Sequence, residues 1–357
     1  MTTLPTPERL LSRLRETAGR HGVVLLRTYA IVLAFLILVA VVAASSPGFA
    51  TKTNIFNLFS QWAPAGIMAV AMTFVILTGG FDLSIANGFS LCAVTAAAVG
   101  RTEDPGVAFL AALAVGLAIG LVNGVLVAGV KINPFIATIG TGFILGGIAL
   151  VATGNVAYTV DNPDFGTIGS GRWHGFPYSG MILICCLIAG GLVLAKTVYG
   201  QSIYAVGGSA EASRLSGIRV STTVGSAYVL SGLSMGVAGI ITAAQLSSAQ
   251  ANINPDIVFD VITVVVVGGT SLAGGFGSMW RTAVGLGIIA TVSNAFSLAD
   301  VDPSYQDIVK GCIIIGALAF DAYARRLAGR ARTRLGREAV PAHSEARPSG
   351  RGRRSRA

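Results

Sequence analysis

Between Val23 and Ala322 one long apolar run follows another, with only short polar breaks. The runs lie at about 23–44, 58–78, 83–100, 107–130, 134–153, 179–195, 221–244, 257–270, 281–299 and 305–322. Most approach the roughly 20 residues that an α-helix needs to cross a hydrocarbon layer about 30 Å thick. Inside that layer every backbone N–H and C=O must find a partner within the protein, so such runs fold as helices. The expected fold is an all-α polytopic membrane protein of about ten transmembrane helices. Only 11% of the residues are charged, against about 25% in soluble domains. The run 257–270, IVFDVITVVVVGGT, is short for a full crossing, and a broken or re-entrant helix is expected there. The chain holds 46 glycines. Small residues let membrane helices meet backbone to backbone, which favours a tight bundle.

Charge collects outside the runs. Residues 1–22 are polar and basic, and the first run is longer than the roughly 7–15 residues of a signal-peptide core, so it reads as a retained helix. Residues 325–357 hold eleven Arg and two Glu, which accounts for the whole net charge of +9. A basic tail directly after an apolar run marks the cytoplasmic side and meets anionic lipid rather than nucleic acid. Its Pro, Ser and Gly content predicts disorder over 323–357. Ten crossings put both termini on one side. Lys131, Lys196, Arg214, Arg219 and Arg281 fall on that side, and Lys52, Arg101 and Arg172 on the other. By the positive-inside rule both termini are cytoplasmic. The longest outer break, 154–180, is rich in Gly, Pro and aromatics. It reads equally as a turn-rich interfacial loop or as a docking surface.

Catalytic patterns are missing. There is no G-x-x-x-x-G-K-[ST] and no H-E-x-x-H, the three histidines lie apart, and the four cysteines lack metal-ligand spacing. This points away from an enzyme and toward a carrier or channel. An ion-coupled carrier normally keeps ionisable groups within its spans. Here they are few: Asp82, Asp260, Asp307, Lys310 and Asp321. Asp307 and Lys310 are three apart and can pair on one helix face. That scarcity fits a passive pathway powered from elsewhere better than a stand-alone ion-coupled secondary transporter, which is the alternative.

Two segments carry the remaining signal. In VILTGGFDLSIANG, Gly79 or Gly80 can end one helix in the left-handed conformation, and Asp82 or Ser84 can cap the next. The alternative role for Asp82 is a gate near the inner mouth. VVVVGGTSLAGGFGS echoes this stretch, with Gly79 aligned on Gly268 and Gly80 on Gly269 as structural turns. The inner break 196–220 contains GGSAEASRLSG. Gly207 and Gly208 precede Ser209 as a cap, Ala210, Glu211, Ala212, Arg214 and Leu215 form a short helix, and Gly217 stops it. This helix either closes the loop or is a lever that docks into a separate motor protein.

The second option is favoured by resemblance. YAVGGSAEASRLSGIRV resembles the cytoplasmic coupling loop of sugar-type ABC transporter permeases, the ribose, xylose, arabinose and galactoside branch. GGFDLSIANGFSL, NGVLVAGVKINPFIATIGT, GGTSLAGGFGSMWRT and PSYQDIVKGCIIIGALAFD resemble further segments of that family, in order, over about residues 55–322. Ile85, Ala86 and Asn87 depart from its usual Val-Gly, and Ser209 and Ala210 from its usual residues before the coupling Glu. The resemblance implies a type II ABC-importer-like permease domain over 23–322 in a bacterial cytoplasmic membrane. It implies a second permease subunit forming a homodimer, an ATPase subunit inside that carries ATP and Mg, and an extracytoplasmic binding protein that delivers a pentose or hexose. No cofactor is implied on this chain. Asp82, Asn123, Thr138, Thr141, Asn294, Asp307 and Lys310 are the candidates for pathway or gate, and each polar one can equally be an interhelical hydrogen-bond partner.

Overall fold

The computed structural model describes residues 29–302 and 304–313, together with 315, 316 and 319. The basic N-terminus 1–22, the tail 323–357 and Asp321 lie outside the described residues. Each of the ten apolar runs overlaps a helix. These are α1 (Tyr29–Ser45), α2 (Lys52–Leu77), α3 (Ile85–Gly100), α4 (Pro105–Gly124) and α5 (Pro134–Thr153). A four-residue α6 (Thr167–Ser170) lies in the long break before α7 (Tyr178–Lys196). Then come α8 (Val198–Gly208), α9 (Ala210–Leu215), α10 (Val220–Leu246), α11 (Ile257–Val267), α12 (Met279–Leu298) and α13, residues 304–313. Among the described residues, five helices are long and apolar enough to cross a membrane: α2, α4 with its π-helical extension to Gly129, α5, α7 and α10. The 26 residues of α2 span roughly 39 Å at 1.5 Å each. The eleven residues of α11 span roughly 16 Å, about half a bilayer core.

Local chemistry explains the ends. Thr51 caps α2 by accepting from the Asn54 N–H, and Asn133 caps α5 by accepting from the Phe135 N–H, with Pro134 at the first helical position. α2 is the axis of the bundle, since every residue from Ala63 to Leu77 is buried. α10 is its main neighbour and packs on α4 through glycine. A Cβ at Gly120 would lie 2.6 Å from the Tyr228 carbonyl oxygen, and one at Gly124 3.0 Å from that of Gly225. Only bare backbones fit so close, the packing that small-xxx-small patterns allow. The outward faces are apolar: Leu36 on α1, Phe143 and Val151 on α5 and Ile188 on α7 are exposed. Interior Thr, Ser and Asn with an apolar exterior is the distribution a lipid-embedded bundle needs.

The two ends of the bundle differ. At one end, residues 158–159 pair antiparallel with 248–249, and Arg101 stacks over Tyr158 at 5.2 Å. There, too, Arg172 donates to Asn57 Oδ1 at 2.9 Å, beside a hairpin whose two turn residues, His174 and Gly175, both have positive φ. At the other end lie α8, α9 and the breaks after α2 and α11. The break 196–220 is more helical than expected. The residue pattern there predicts only α9, yet residues 198–208 form α8, because VYGQSIYAVGG buries Ile203 and Val206 against the bundle.

Candidate functional site

Both Gly-Gly stretches end a helix in the same way. After α2, the Gly79 N–H donates to the Ile76 carbonyl and the Gly80 N–H to that of Val75, with Gly79 at φ +84°. After α11, the Gly269 N–H donates to Val266 and the Thr270 N–H to Val265, with Gly269 at φ +81°. Each is a Schellman end, whose left-handed position favours glycine. The structure corrects the register of the echo by one residue. Gly79 matches Gly269, and Gly80 matches Thr270. Gly80 and Gly268 stay small for another reason, since a Cβ on Gly80 would lie 2.6 Å from the Tyr228 hydroxyl and one on Gly268 2.7 Å from the Arg281 carbonyl oxygen.

The break between α2 and α3 sits inside the bundle, and its polar groups are answered by three other helices. Tyr228 on α10 donates to the Phe81 carbonyl at 3.0 Å, and the Leu83 N–H donates to Thr138 Oγ1 on α5 at 3.0 Å. Asp82 is fully buried. Its Oδ1 accepts from the Ser84 N–H at 3.1 Å and the Ser84 hydroxyl at 2.5 Å, and its Oδ2 accepts from the Ser231 hydroxyl of α10 at 2.7 Å. Asn123 on α4 donates to Ser84 Oγ at 2.8 Å, while its Oδ1 has no partner among the described residues. The capping expectation is therefore corrected. Ser84 holds the cap position of α3 without a side-chain cap bond. The Asp82 carboxylate serves that residue's own N–H and spends its second oxygen on α10. The physical reason is that the Ser84 hydroxyl is already committed to Asp82 and Asn123.

The other candidates separate. Thr138 bonds both Leu83 and the Pro134 carbonyl, and Thr141 donates to the Thr138 carbonyl within α5. Asn294 exchanges two hydrogen bonds with Asn54 on α2, at 2.9 and 3.0 Å, near the far end. Lys310 lies 2.9 Å from Asp260 and 3.9 Å from Asp307. The local i,i+3 pairing is thus the longer contact, and the shorter one ties α13 to α11. Sequence spacing could not reveal that partner, fifty residues away. Asn87, one of the departures, fits against glycines of α5: a Cβ at Gly146 would lie 3.1 Å from its Oδ1.

The α9 helix is built as its residues imply. Ser209 Oγ accepts from the Ala212 N–H at 3.2 Å, and Gly217, at φ +84°, closes the helix as the Ile218 N–H donates to the Ser213 carbonyl. Only Ser213 is buried, while Leu215 is 80% exposed. Arg214 and Glu211 pair at 2.7 Å, both largely exposed. Gly207 at the end of α8 is packed against the Leu77 carbonyl and Gly275, whereas a Cβ on Gly208 would meet open space. The far end holds a polar cavity of about 500 Å³ lined by Arg101, Glu103, Asp104, Asp161 and Asn162. Among the described residues no three His, Cys, Asp or Glu side chains gather as metal ligands.

A membrane bundle with a polar buried break, and a short helix held at one end of it, is the anatomy of a transport subunit. Residues 54–318 match the family described as branched-chain amino acid transport system / permease component. The chain belongs to this permease family. It is 42% identical to the ribose import permease protein RbsC of Escherichia coli strain K12 over 294 residues, covering 81% of this chain and 92% of that one. It is 36% identical to the L-arabinose transport system permease protein AraH of the same strain over 299 residues, 84% and 91% of the two chains. With RbsC of Bacillus subtilis strain 168 it shares 37% over 292 residues, 81% and 91%. No solved structure matches the chain. Both the polytopic helical fold and the permease family expected from the motifs are thereby shown. The subunit is a permease and not an enzyme.

Proposed function

We propose that this permease is the membrane-spanning subunit of an ABC importer for a monosaccharide, a pentose first, powered by a separate ATPase subunit on the α9 side. The observation that carries the solute class is the similarity to ribose and arabinose permeases over four-fifths of the chain. The α9 helix supports the power source. It presents Glu211, Ala212, Arg214 and Leu215 outward on a six-residue helix fixed at both ends, which is a shape for docking. The α9 end carries Lys131, Lys196, Arg214, Arg219 and Arg281, so by the positive-inside rule it faces the cytoplasm, together with both termini. The opposite end, with its hairpin at 172–177 and the paired residues 158–159 and 248–249, then receives an extracytoplasmic sugar-binding protein. Two copies of the chain form the pathway, ATP and Mg reside on the ATPase partner, and the basic tail meets lipid headgroups.

The test is reconstitution. Vesicles containing the chain with its ATPase subunit, supplied with ribose-loaded or arabinose-loaded binding protein outside, are expected to take up sugar only when ATP is enclosed. Accumulation of sugar by the chain alone under a proton or sodium gradient would overturn the reading in favour of a secondary transporter.

A further inference from the structure

We propose that the meeting of three backbones at Leu77, Gly207 and Gly275 is where motion of the α8–α9 unit enters the spanning helices, and that residues 81–84 then distribute it to α4, α5 and α10. This rests on the reading that α9 docks on an ATPase, and it names the residues that pass the motion on.

The junction is specific. The carbonyl of Leu77 belongs to the last turn of α2, where carbonyls lack helical partners. It accepts instead from the Gly275 N–H in the loop after α11, at 2.9 Å. Gly207 fills the corner between them, and a Cβ there would overlap the Leu77 oxygen. A Cβ on Gly274 would lie 2.8 Å from the Gly79 nitrogen and 3.1 Å from the Gly207 oxygen, and one on Gly275 2.8 Å from the Gly208 nitrogen. Thus α8 touches both Schellman breaks at once. Tyr204 adds a fourth tie, its hydroxyl donating to the Gly277 carbonyl at 2.9 Å.

Side chains yield to a push by changing rotamer, but main chains packed against main chains do not. Close-packed interiors have low compressibility and transmit strain. Displacement of α8 therefore moves the end of α2 and the loop after α11 together. From Gly79 it reaches four consecutive residues that bond to other helices: Phe81 to Tyr228, Asp82 to Ser231, Leu83 to Thr138, and Ser84 to Asn123. A segment outside any helix is free to shift as a unit, and its partners lie on three spans.

The experiment uses the chain reconstituted with its ATPase subunit and ribose- or arabinose-loaded binding protein, scored as sugar taken up per ATP hydrolysed. Gly207→Ala is expected to lower that ratio about three- to tenfold, the scale of mutations along a coupling route. The ATPase subunit should still co-purify. Tyr204→Phe and Tyr228→Phe remove one tie each and are expected to lower the ratio about twofold. Gly106→Ala, which adds a Cβ in open space on α4, should keep the wild-type ratio. A wild-type ratio in Gly207→Ala overturns the proposal. If Gly207→Ala fails to assemble, the two Tyr→Phe variants decide, and wild-type ratios in both overturn it. A wild-type chain without ATP-dependent uptake instead sinks the importer reading, a different outcome from either.

Discussion

Asp82 shows how a buried acidic side chain can be held by hydrogen bonds alone, with no cation beside it among the described residues. Its oxygens take two hydroxyl donors and one N–H, from Ser84 and Ser231, which replaces much of the hydration lost on burial. Removing that acceptor strands donors, and each buried unsatisfied group costs about 1–3 kcal/mol. Asp82→Ala is therefore expected to lose about 2 kcal/mol or more of stability in detergent, read by chemical denaturation. Asp82→Asn keeps the shape: its oxygen can still accept from the Ser84 N–H and hydroxyl, while its NH2 faces Ser231, whose hydroxyl can turn to accept. Its denaturation midpoint should stay close to wild type. A midpoint in Asp82→Asn as low as in Asp82→Ala would show that the charge itself, and not the hydrogen bonds, holds the break.

At the scale of elements, α9 separates stability from function. The exposed Glu211–Arg214 pair contributes about 0–1 kcal/mol, and Leu215 touches little of its own chain. Glu211→Ala and Leu215→Ala should leave the denaturation midpoint unchanged. Leu215→Ala should weaken retention of the ATPase subunit about tenfold or more, as loss of an apolar anchor at an interface does. Retention equal to wild type would remove Leu215 from the docking surface. This helix was legible in the sequence, because its cap, helix formers and stopping glycine are contiguous, and so were the spans, because hydrophobic length alone defines them. The junctions were not. Glycine pairs announce two breaks, yet Thr78 takes the cap position in one and Gly268 in the other, so the glycine-on-glycine alignment misplaced the left-handed residue by one. Asn54 with Asn294 and Asp260 with Lys310 join residues far apart in the chain, and no local pattern encodes such partners.

In the whole molecule the buried site depends on how closely α4 and α10 approach. Asn123 reaches Ser84, and Ser231 and Tyr228 reach residues 81 and 82, only while the two helices lie backbone to backbone through Gly116, Gly120, Gly124 and Gly232. A Cβ on Gly232 would already lie 2.6 Å from the Gly120 nitrogen. A leucine there must push the helices apart, and overpacking of this kind costs about 1–3 kcal/mol or more. That separation would stretch the bonds of Asn123 and Ser231 as well, so the losses should exceed the steric term alone. Gly232→Leu is expected to yield less folded protein and a lower denaturation midpoint. When combined with Asp82→Ala it should cost less than the sum of the two, because the first change has already loosened what the second removes. A strictly additive double mutant would show that the helix crossing and Asp82 hold the fold independently.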